Sequence, residues 1–371
     1  MRLACLCNTV PSFDFIRFRY IGYGLSALLI VVSVAAVLLG GLRYGVDFAG
    51  GAMVQLDFER PIDGTVLKER FVSAGLSGLT VQQFGAGKTG WLVRFALPTD
   101  MTNERAYTAV VRALQSIEGN QAAILRQETV GPKVGENLRC AALEAFFYVM
   151  LLTAVYLSGR FEHRWGVAGL MAACLGGGMF LLGLCGLAMP IRVSACLLLT
   201  FALCAVLRLH FALGALAGLL HDVCVTVGLL ALLHKDFDLS VAAALLMLVG
   251  YSLNDTIVVY DRIRENLAQA QPGKNAVDMR SIINQSLNQT LSRTLMTSIT
   301  TLAACTSLFL LGGGVIHDFA LTMLIGVLVG TLSSVFVSAP LLLHLDMPAR
   351  QLSFPGRRAS SAARGGRRTP K

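Results

Sequence analysis

Val249-Gly250-Tyr251-Ser252-Leu253-Asn254-Asp255-Thr256-Ile257-Val258-Val259-Tyr260 places a carboxylate inside an otherwise apolar run. A charge in a membrane span costs roughly 2.5–3.5 kcal/mol even on the lenient insertion scale, so such a residue needs a reason. Three readings of Asp255 compete: a group that binds and releases protons, a structural ion pair or hydrogen bond between helices, and a residue that is really in water.

Working outward, the chain of 371 residues is 55% hydrophobic and only 14% charged. That balance excludes a soluble domain and predicts a polytopic α-helical membrane protein with one soluble insert. The net charge of +9 is uneven: after Asp346 come Arg350, Arg357, Arg358, Arg364, Arg367, Arg368 and Lys371 with no acid. The basic pI therefore carries no indication of nucleic acid. Cys174, Cys185, Cys196, Cys204, Cys224 and Cys305 lie in apolar stretches, where thiols act as small hydrophobes. The segment Arg43–Arg139 contains no cysteine, so no disulfide framework or zinc spacing exists there, and Cys5-Leu6-Cys7 has no apolar run before it to suggest lipidation or metal.

Residues 1–20 read as a cytoplasmic amino terminus carrying Arg2, Arg17 and Arg19. Residues 21–42 contain no charge and are long enough to cross a hydrocarbon core of about 30 Å. Residues 43–140 read as an exported, near-neutral domain. Its strands are expected at Ala52–Phe58, Thr80–Phe84, Trp91–Phe95 and Ala122–Val130, and its helices at Pro61–Ala74 and Met101–Ile117. The order βαββαβ is that of a small α+β ferredoxin-like fold, with no catalytic cluster in it. Asp47-Phe48-Ala49-Gly50-Gly51 reads as a tight turn between span and strand, or as a loop whose glycines let a partner approach.

Residues 141–345 read as a bundle of about seven further helices, Ala141–Ser158, Trp165–Leu187, Val193–Leu207, Leu209–Leu233, Leu239–Tyr260, Leu291–Leu311 and Phe319–Leu343. Alternating sides puts Arg160, Arg164, Arg208, Arg262, Arg264 and the tail 346–371 in the cytoplasm, in keeping with the positive-inside rule. Thr322, Gly326, Gly330, Ser334 and Ser338, and Gly214, Gly218, Asp222 and Thr226, form stripes of small residues expected to pack on protein. Arg262 and Arg264 mark an exit from the membrane, so Asp255 lies about 9 Å of helix inside it. In the next span Arg293, Thr297, Thr300, Thr301 and Ala304 share a face, expected to turn toward the same interior. An Asp facing an Arg can form a static pair, or can take up and release a proton as the distance changes; Arg293 can also snorkel to the interface. Asn254 and Thr297 supply polar partners for a relay. Asp222, next to His221, is a second candidate, with a helix-packing hydrogen bond as its plainer reading.

Tyr44-Gly45-Val46-Asp47-Phe48-Ala49-Gly50-Gly51, Glu128-Thr129-Val130-Gly131-Pro132, His221-Asp222-Val223, the block Gly250 to Val259, Asp261-Arg262-Ile263-Arg264-Glu265-Asn266 and Ser292-Arg293-Thr294-Leu295 together closely resemble SecF, from Tyr20 to Leu345. The resemblance implies a bundle like the resistance-nodulation-division transporters, with a periplasmic domain, in the bacterial inner membrane with both termini cytoplasmic. It also implies pairing with SecD beside the SecYEG channel and SecA, and use of the proton motive force to help draw exported, unfolded polypeptide outward. Protons are the coupling ion, with no other cofactor and no catalytic residue. By position, Asp255 matches the family's membrane carboxylate and Arg293 its partner, which favours the relay. Two departures stand out: Ala49 replaces the usual Thr of the Asp-Phe-x-Gly-Gly turn, and about two helices are extra in 165–207. A local duplication accounts for the second, with a re-entrant hairpin as the rival. A proton-driven exporter of small molecules or lipids and a non-transporting scaffold are the rival functions; the small exported domain argues for an accessory subunit.

Overall fold

The computed structural model describes residues 13–84, 89–96, 103–115, 117, 119–270, 278–312 and 314–345. The Cys5-Leu6-Cys7 stretch, the turn Gly85-Ala86-Gly87 and the basic tail 346–371 lie outside the described residues.

Helix α1 (Arg19–Gly40) follows a short 3-10 turn, Phe15–Phe18. The backbone of residues 13–15 is held by two asparagines: Phe13 N donates to Asn288 Oδ1 at 2.9 Å and Phe15 N to Asn284 Oδ1 at 2.9 Å. After α1 comes strand β1 (Arg43–Tyr44), then the one-turn helix α2 (Val46–Ala49). The inserted sheet domain runs through β2 (Gly51–Phe58), α3 (Gly64–Ser73), β3 (Ser77–Phe84), β4 (Gly90–Ala96), α4 (Asn103–Gln115) and β5 (Ala122–Val130). The element order is the expected βαββαβ, and the four long strands form an antiparallel sheet in the order β3-β4-β2-β5. Alternation sends Ala52, Val54, Leu56 and Phe58 of β2 and Trp91, Val93 and Phe95 of β4 to one face, where they meet Leu67 and Phe71 of α3 and Ala106 and Val110 of α4. The other face, with Met53, Gln55, Leu92 and Arg94, turns toward the helical bundle and lines a cavity with it.

Among the described residues, eight helices are long and apolar enough to cross a membrane. Those after α1 are α5 (Pro132–Glu162), α6 (Trp165–Leu184), α7 (Met189–Val206), α8 (His210–Leu232), α9 (Leu239–Gln269), α10 (Met279–Leu311) and the last, α11 (Gly314–Ser333), which continues through a π turn at Ser334–Ser338. Between α8 and α9 the two-residue strand β6 (Asp236–Phe237) pairs in parallel with β1. The segment 165–207 forms a hairpin of two helices, 20 and 18 residues long.

Three helices outrun their apolar stretches. Helix α5 starts at Pro132 rather than Ala141, α9 continues past Tyr260 to Gln269, and α10 begins at Met279 rather than Leu291. Apolar length reports the thickness of the hydrocarbon layer and not the length of the helix. Pro132 fits the first turn, where a missing N–H costs nothing. The extensions of α9 and α10 pack on each other through Ile263, Leu267, Ile283 and Leu287, all buried.

Helix α8 sits at the centre and the small-residue stripes face its neighbours, as expected. A Cβ on Gly228 would fall 2.1 Å from Ser33 Cβ of α1, and one on Gly326 would fall 2.5 Å from Leu248 Cδ2 of α9. The backbones of α1 and α8 approach as only glycine permits, while Gly326 makes room for the Leu248 side chain. Gly228→Leu is expected to destabilise the protein by about 1–3 kcal/mol through overpacking. Gly24→Leu, whose Cβ position has nothing within 4 Å, should leave the melting temperature unchanged. Thermal unfolding of both variants in detergent checks this, and equal melting temperatures would contradict the α1–α8 contact.

Candidate functional site

Three polar clusters lie along the bundle. The first centres on Asp255, buried at 2% exposure on the face of α9 that carries Ser252, Thr256 and Val259. The polar groups acting on its carboxylate are first the Arg293 guanidinium and then the Thr297 and Ser298 hydroxyls, all from α10. Among the described residues, Asp255 Oδ2 has no hydrogen-bond partner. No ion pair joins Asp255 to Arg293 either, so the charges are neighbours without contact. Thr297 Oγ1 meanwhile donates to Thr294 O at 2.9 Å, and Ser298 Oγ shares a hydrogen bond with Thr331 Oγ1 of α11 at 2.7 Å.

The structure corrects the expected orientation of the α10 stripe. Helix α10 meets α9 and α11 with Thr294, Ser298 and Cys305, all buried, so Arg293, Thr300 and Ala304 are left on an exposed face of the chain. Asn254 also lies on an exposed face, beside Asp255 rather than toward it. The 100° step between successive helical residues separates Asn254 from Asp255, and in α10 it is packing on α9 and α11 that selects the face of Thr294, Ser298 and Cys305.

The second cluster forms where α8, α9 and α11 meet. Ser252 Oγ donates to Asp222 Oδ2 at 2.5 Å, and His221 Nδ1 lies 3.0 Å from Asp222 Oδ1. Gly330 of α11 makes room, since a Cβ there would stand 3.3 Å from Asp222 Oδ2. Ser252 precedes Asp255 by one helical turn, so Asp222 fixes the rotation of α9 that buries Asp255. His221 Nε2 is buried with no partner among the described residues. Asp222 and His221 were legible in the sequence; the Ser252 link was not.

The third cluster joins the sheet domain to the bundle. Arg94 of β4 forms an ion pair with Asp236 of β6, and Lys235 Nζ reaches Asp318 Oδ1 at 2.7 Å. Leu239 N donates to Asp47 Oδ2 at 3.0 Å, and Gly45 N to Phe237 O at 2.9 Å. The Asp-Phe-Ala-Gly-Gly stretch is thus a helical turn ended by two left-handed-region glycines, Gly50 at φ 75° and Gly51 at φ 137°. Burial holds the Arg94 guanidinium below its usual range, opposed by Asp238, Asp318, Asp47 and Glu128. This cluster was not found in the sequence; the alternation that sets Arg94 opposite the core residues of β4 was its one signal.

At the opposite end, side chains cap the helix ends around the extra hairpin. Arg164 Nη1 donates to Leu207 O at 2.6 Å, Arg264 Nη1 to Arg160 O at 3.1 Å, and Phe211 N to Glu162 Oε1 at 3.3 Å. Asn266 Nδ2 donates to Ser286 Oγ at 2.8 Å and Arg262 Nε to Gln289 Oε1 at 2.6 Å, tying the extension of α9 to that of α10. Most of the Asp261 to Asn266 block is therefore helix-joining hardware.

Fold and clusters together define a multi-pass α-helical membrane protein with a polar interior and one inserted sheet domain. Comparison with known proteins narrows this. The family model described as protein export membrane protein SecD/SecF, C-terminal, matches residues 109–183 and 184–348, and the SecD/SecF GG motif matches 37–62. A protein translocase subunit SecF of Magnetococcus marinus is 38% identical over 96% of this chain and 97% of its own length. One from Desulfurispirillum indicum is 36% identical over 89% of this chain and 90% of its own, and one from Escherichia coli O157:H7 is 33% identical over 90% and 88%. A crystal structure of SecDF, a translocon-associated membrane protein from Thermus thermophilus, superposes with a TM-score of 0.64 at 29% identity over 90% of this chain. The chain spans 38% of that longer SecDF chain. The chain belongs to the SecD/SecF family of protein export membrane proteins, and its role lies in protein translocation.

Asp222→Ala leaves Ser252 and His221 without their shared acceptor, at a cost of about 1–3 kcal/mol for each buried group left unsatisfied. Asp222→Asn keeps an acceptor for Ser252 and should recover most of that loss. Melting temperatures of the two variants in detergent test the role, and an Asn variant as unstable as the Ala variant would show that the charge itself is required.

Proposed function

We propose that this chain is the SecF-like partner of a SecD chain and couples the proton motive force to Sec-dependent export across the bacterial cytoplasmic membrane. The observation that carries the reading is a buried carboxylate with one oxygen unpartnered, close to but not paired with an arginine on the exposed face of the next helix. A charge so placed is costly unless a partner or a proton comes to it. Movement of α10 relative to α9 changes the distance from Arg293 to Asp255. Approach favours the ionised carboxylate, and withdrawal favours its protonated form. Each cycle then carries a proton across, and one charge crossing 100 mV is worth about 2.3 kcal/mol. Thr297 and Ser298 offer hydroxyls along the same path. Asn254 lies beside the relay on the face where a SecD helix would pack, and Asp222 supports the relay from behind through Ser252.

In this reading both termini are cytoplasmic and the sheet domain is periplasmic. The chain works beside SecYEG and SecA and acts on unfolded polypeptide as it emerges. The hairpin 165–207 adds two crossings and so preserves sidedness. Its origin by duplication is supported by the break in the family match between residues 183 and 184.

Asp255→Asn keeps the shape but cannot ionise. In vesicles containing SecD and the Sec channel, it should reduce gradient-stimulated export to the level seen without a gradient while the complex still assembles. Undiminished stimulation in the variant would sink the relay.

A further inference from the structure

The polar face of the exported sheet and the outer ends of α9 and α11 enclose a cavity of about 840 Å³. That volume lies within the range of ligand-holding clefts, roughly 300–1,000 Å³. Its charged side chains pair among themselves, although Arg94 Nε is buried without a hydrogen-bond partner among the described residues. Arg94 is paired with Asp236, Lys235 with Asp318 and Arg126 with Glu128. Asp47 accepts from Leu239 N, and Asp238 accepts from Val241 N at 2.9 Å and from Ser240 Oγ at 2.7 Å. An ionic ligand would have to break one of these bonds to be held.

Apart from Arg94 Nε, what remains is neutral. Among the described residues, the carboxamides of Gln55 on β2 and Gln82 on β3 make no hydrogen bond, and both line the cavity. Beside them lie Met53 and Leu92 from the sheet and Leu239 and Ala243 from α9. A carboxamide offers one acceptor and two donors in the pattern of a peptide group, and it reads no particular side chain. Carboxamides set among apolar side chains match the chemistry of an extended backbone with hydrophobic residues.

We infer that this cavity is a docking site for an extended segment of unfolded polypeptide, bound through Gln55 and Gln82 without regard to its sequence. The inference rests on the reading of the chain as an export subunit and assigns the substrate contact to the sheet's inner face. The clasp of Arg94 on Asp236 spans the same space and holds the sheet over the bundle as a roof.

The test places a benzophenone amino acid at Gln82 or at Leu92, in the chain assembled with its SecD partner. Vesicles carrying the complex and the Sec channel are loaded with an unfolded export substrate arrested in transit. A third probe at Lys68, exposed on α3 on the helix-covered side, is the control. Cross-links to the substrate are expected from Gln82 and Leu92 and not from Lys68. Gln55→Leu combined with Gln82→Leu should lower the yield at Leu92 about tenfold, the worth of two neutral hydrogen bonds. The site is overturned if neither cavity probe reaches the substrate while the gradient still stimulates export. It is equally overturned if Lys68 reacts as well as they do, or if the cavity probes react with the SecD chain instead. Cross-links that persist in vesicles where the gradient gives no stimulation would support the site and count against the proton-coupled reading alone.

Discussion

The hydrogen bond from Ser252 to Asp222, at 2.5 Å, is where the interior of the bundle is decided. In lipid an unpaired carboxylate has no water to turn to, so the helices that carry the two partners must come together in one rotation and one register. That demand explains the glycines around it. Gly330 clears the space beside the carboxylate, while Gly218 and Gly214 of α8 lie against Ser338 and Tyr260. With α9 locked in this rotation, the next turn of the same helix delivers Asp255 to the α10 side. The polar interior is thus one arrangement, in which a satisfied carboxylate positions an unsatisfied one.

The contrast between the two carboxylates is chemical. Asp222 is met by a hydroxyl and an imidazole from its own chain. Asp255 faces an arginine it does not touch, on a helix whose outer side is open. A group that is fully satisfied holds a structure in place. One that is left partly satisfied can respond to what approaches it.

The spans were legible in the sequence because each is an apolar run bounded by charges, and Asp255 was legible because a carboxylate inside such a run is conspicuous. The strands of the sheet domain could be read from alternation and its helices from spacing, with ends displaced by a few residues where caps rather than apolar patterning set the boundary. Asp63 closes α3 at its start and the helix begins at Gly64, inside the expected Pro61–Ala74. The helix extensions beyond the membrane were not legible, because polar helix and polar loop look alike until Ile263 and Ile283 are seen to meet. Nor was the Arg94–Asp236 pair, whose partners are remote in the chain and are joined only by the docking of a sheet onto a bundle. The direction of the α10 stripe was misread for a related cause: periodicity shows which residues share a face, and only packing shows what that face meets.

The neck between the sheet domain and the bundle includes two chain segments that cross at close range. A Cβ on Gly50 would fall 2.7 Å from Pro132 Cα, and one on Gly135 would fall 2.9 Å from Gly50 N. Strand β5 runs into α5 with only Gly131 between them, and α5 continues for 31 residues, about 46 Å. Strand and helix therefore behave as one crank whose bearing is the pair of glycine backbones. A tilt of α5 at the far side of the membrane, near Glu162 and Arg164, pulls on the sheet at this bearing, and the sheet can swing only as far as the Arg94–Asp236 pair and the bond from Leu239 N to Asp47 allow.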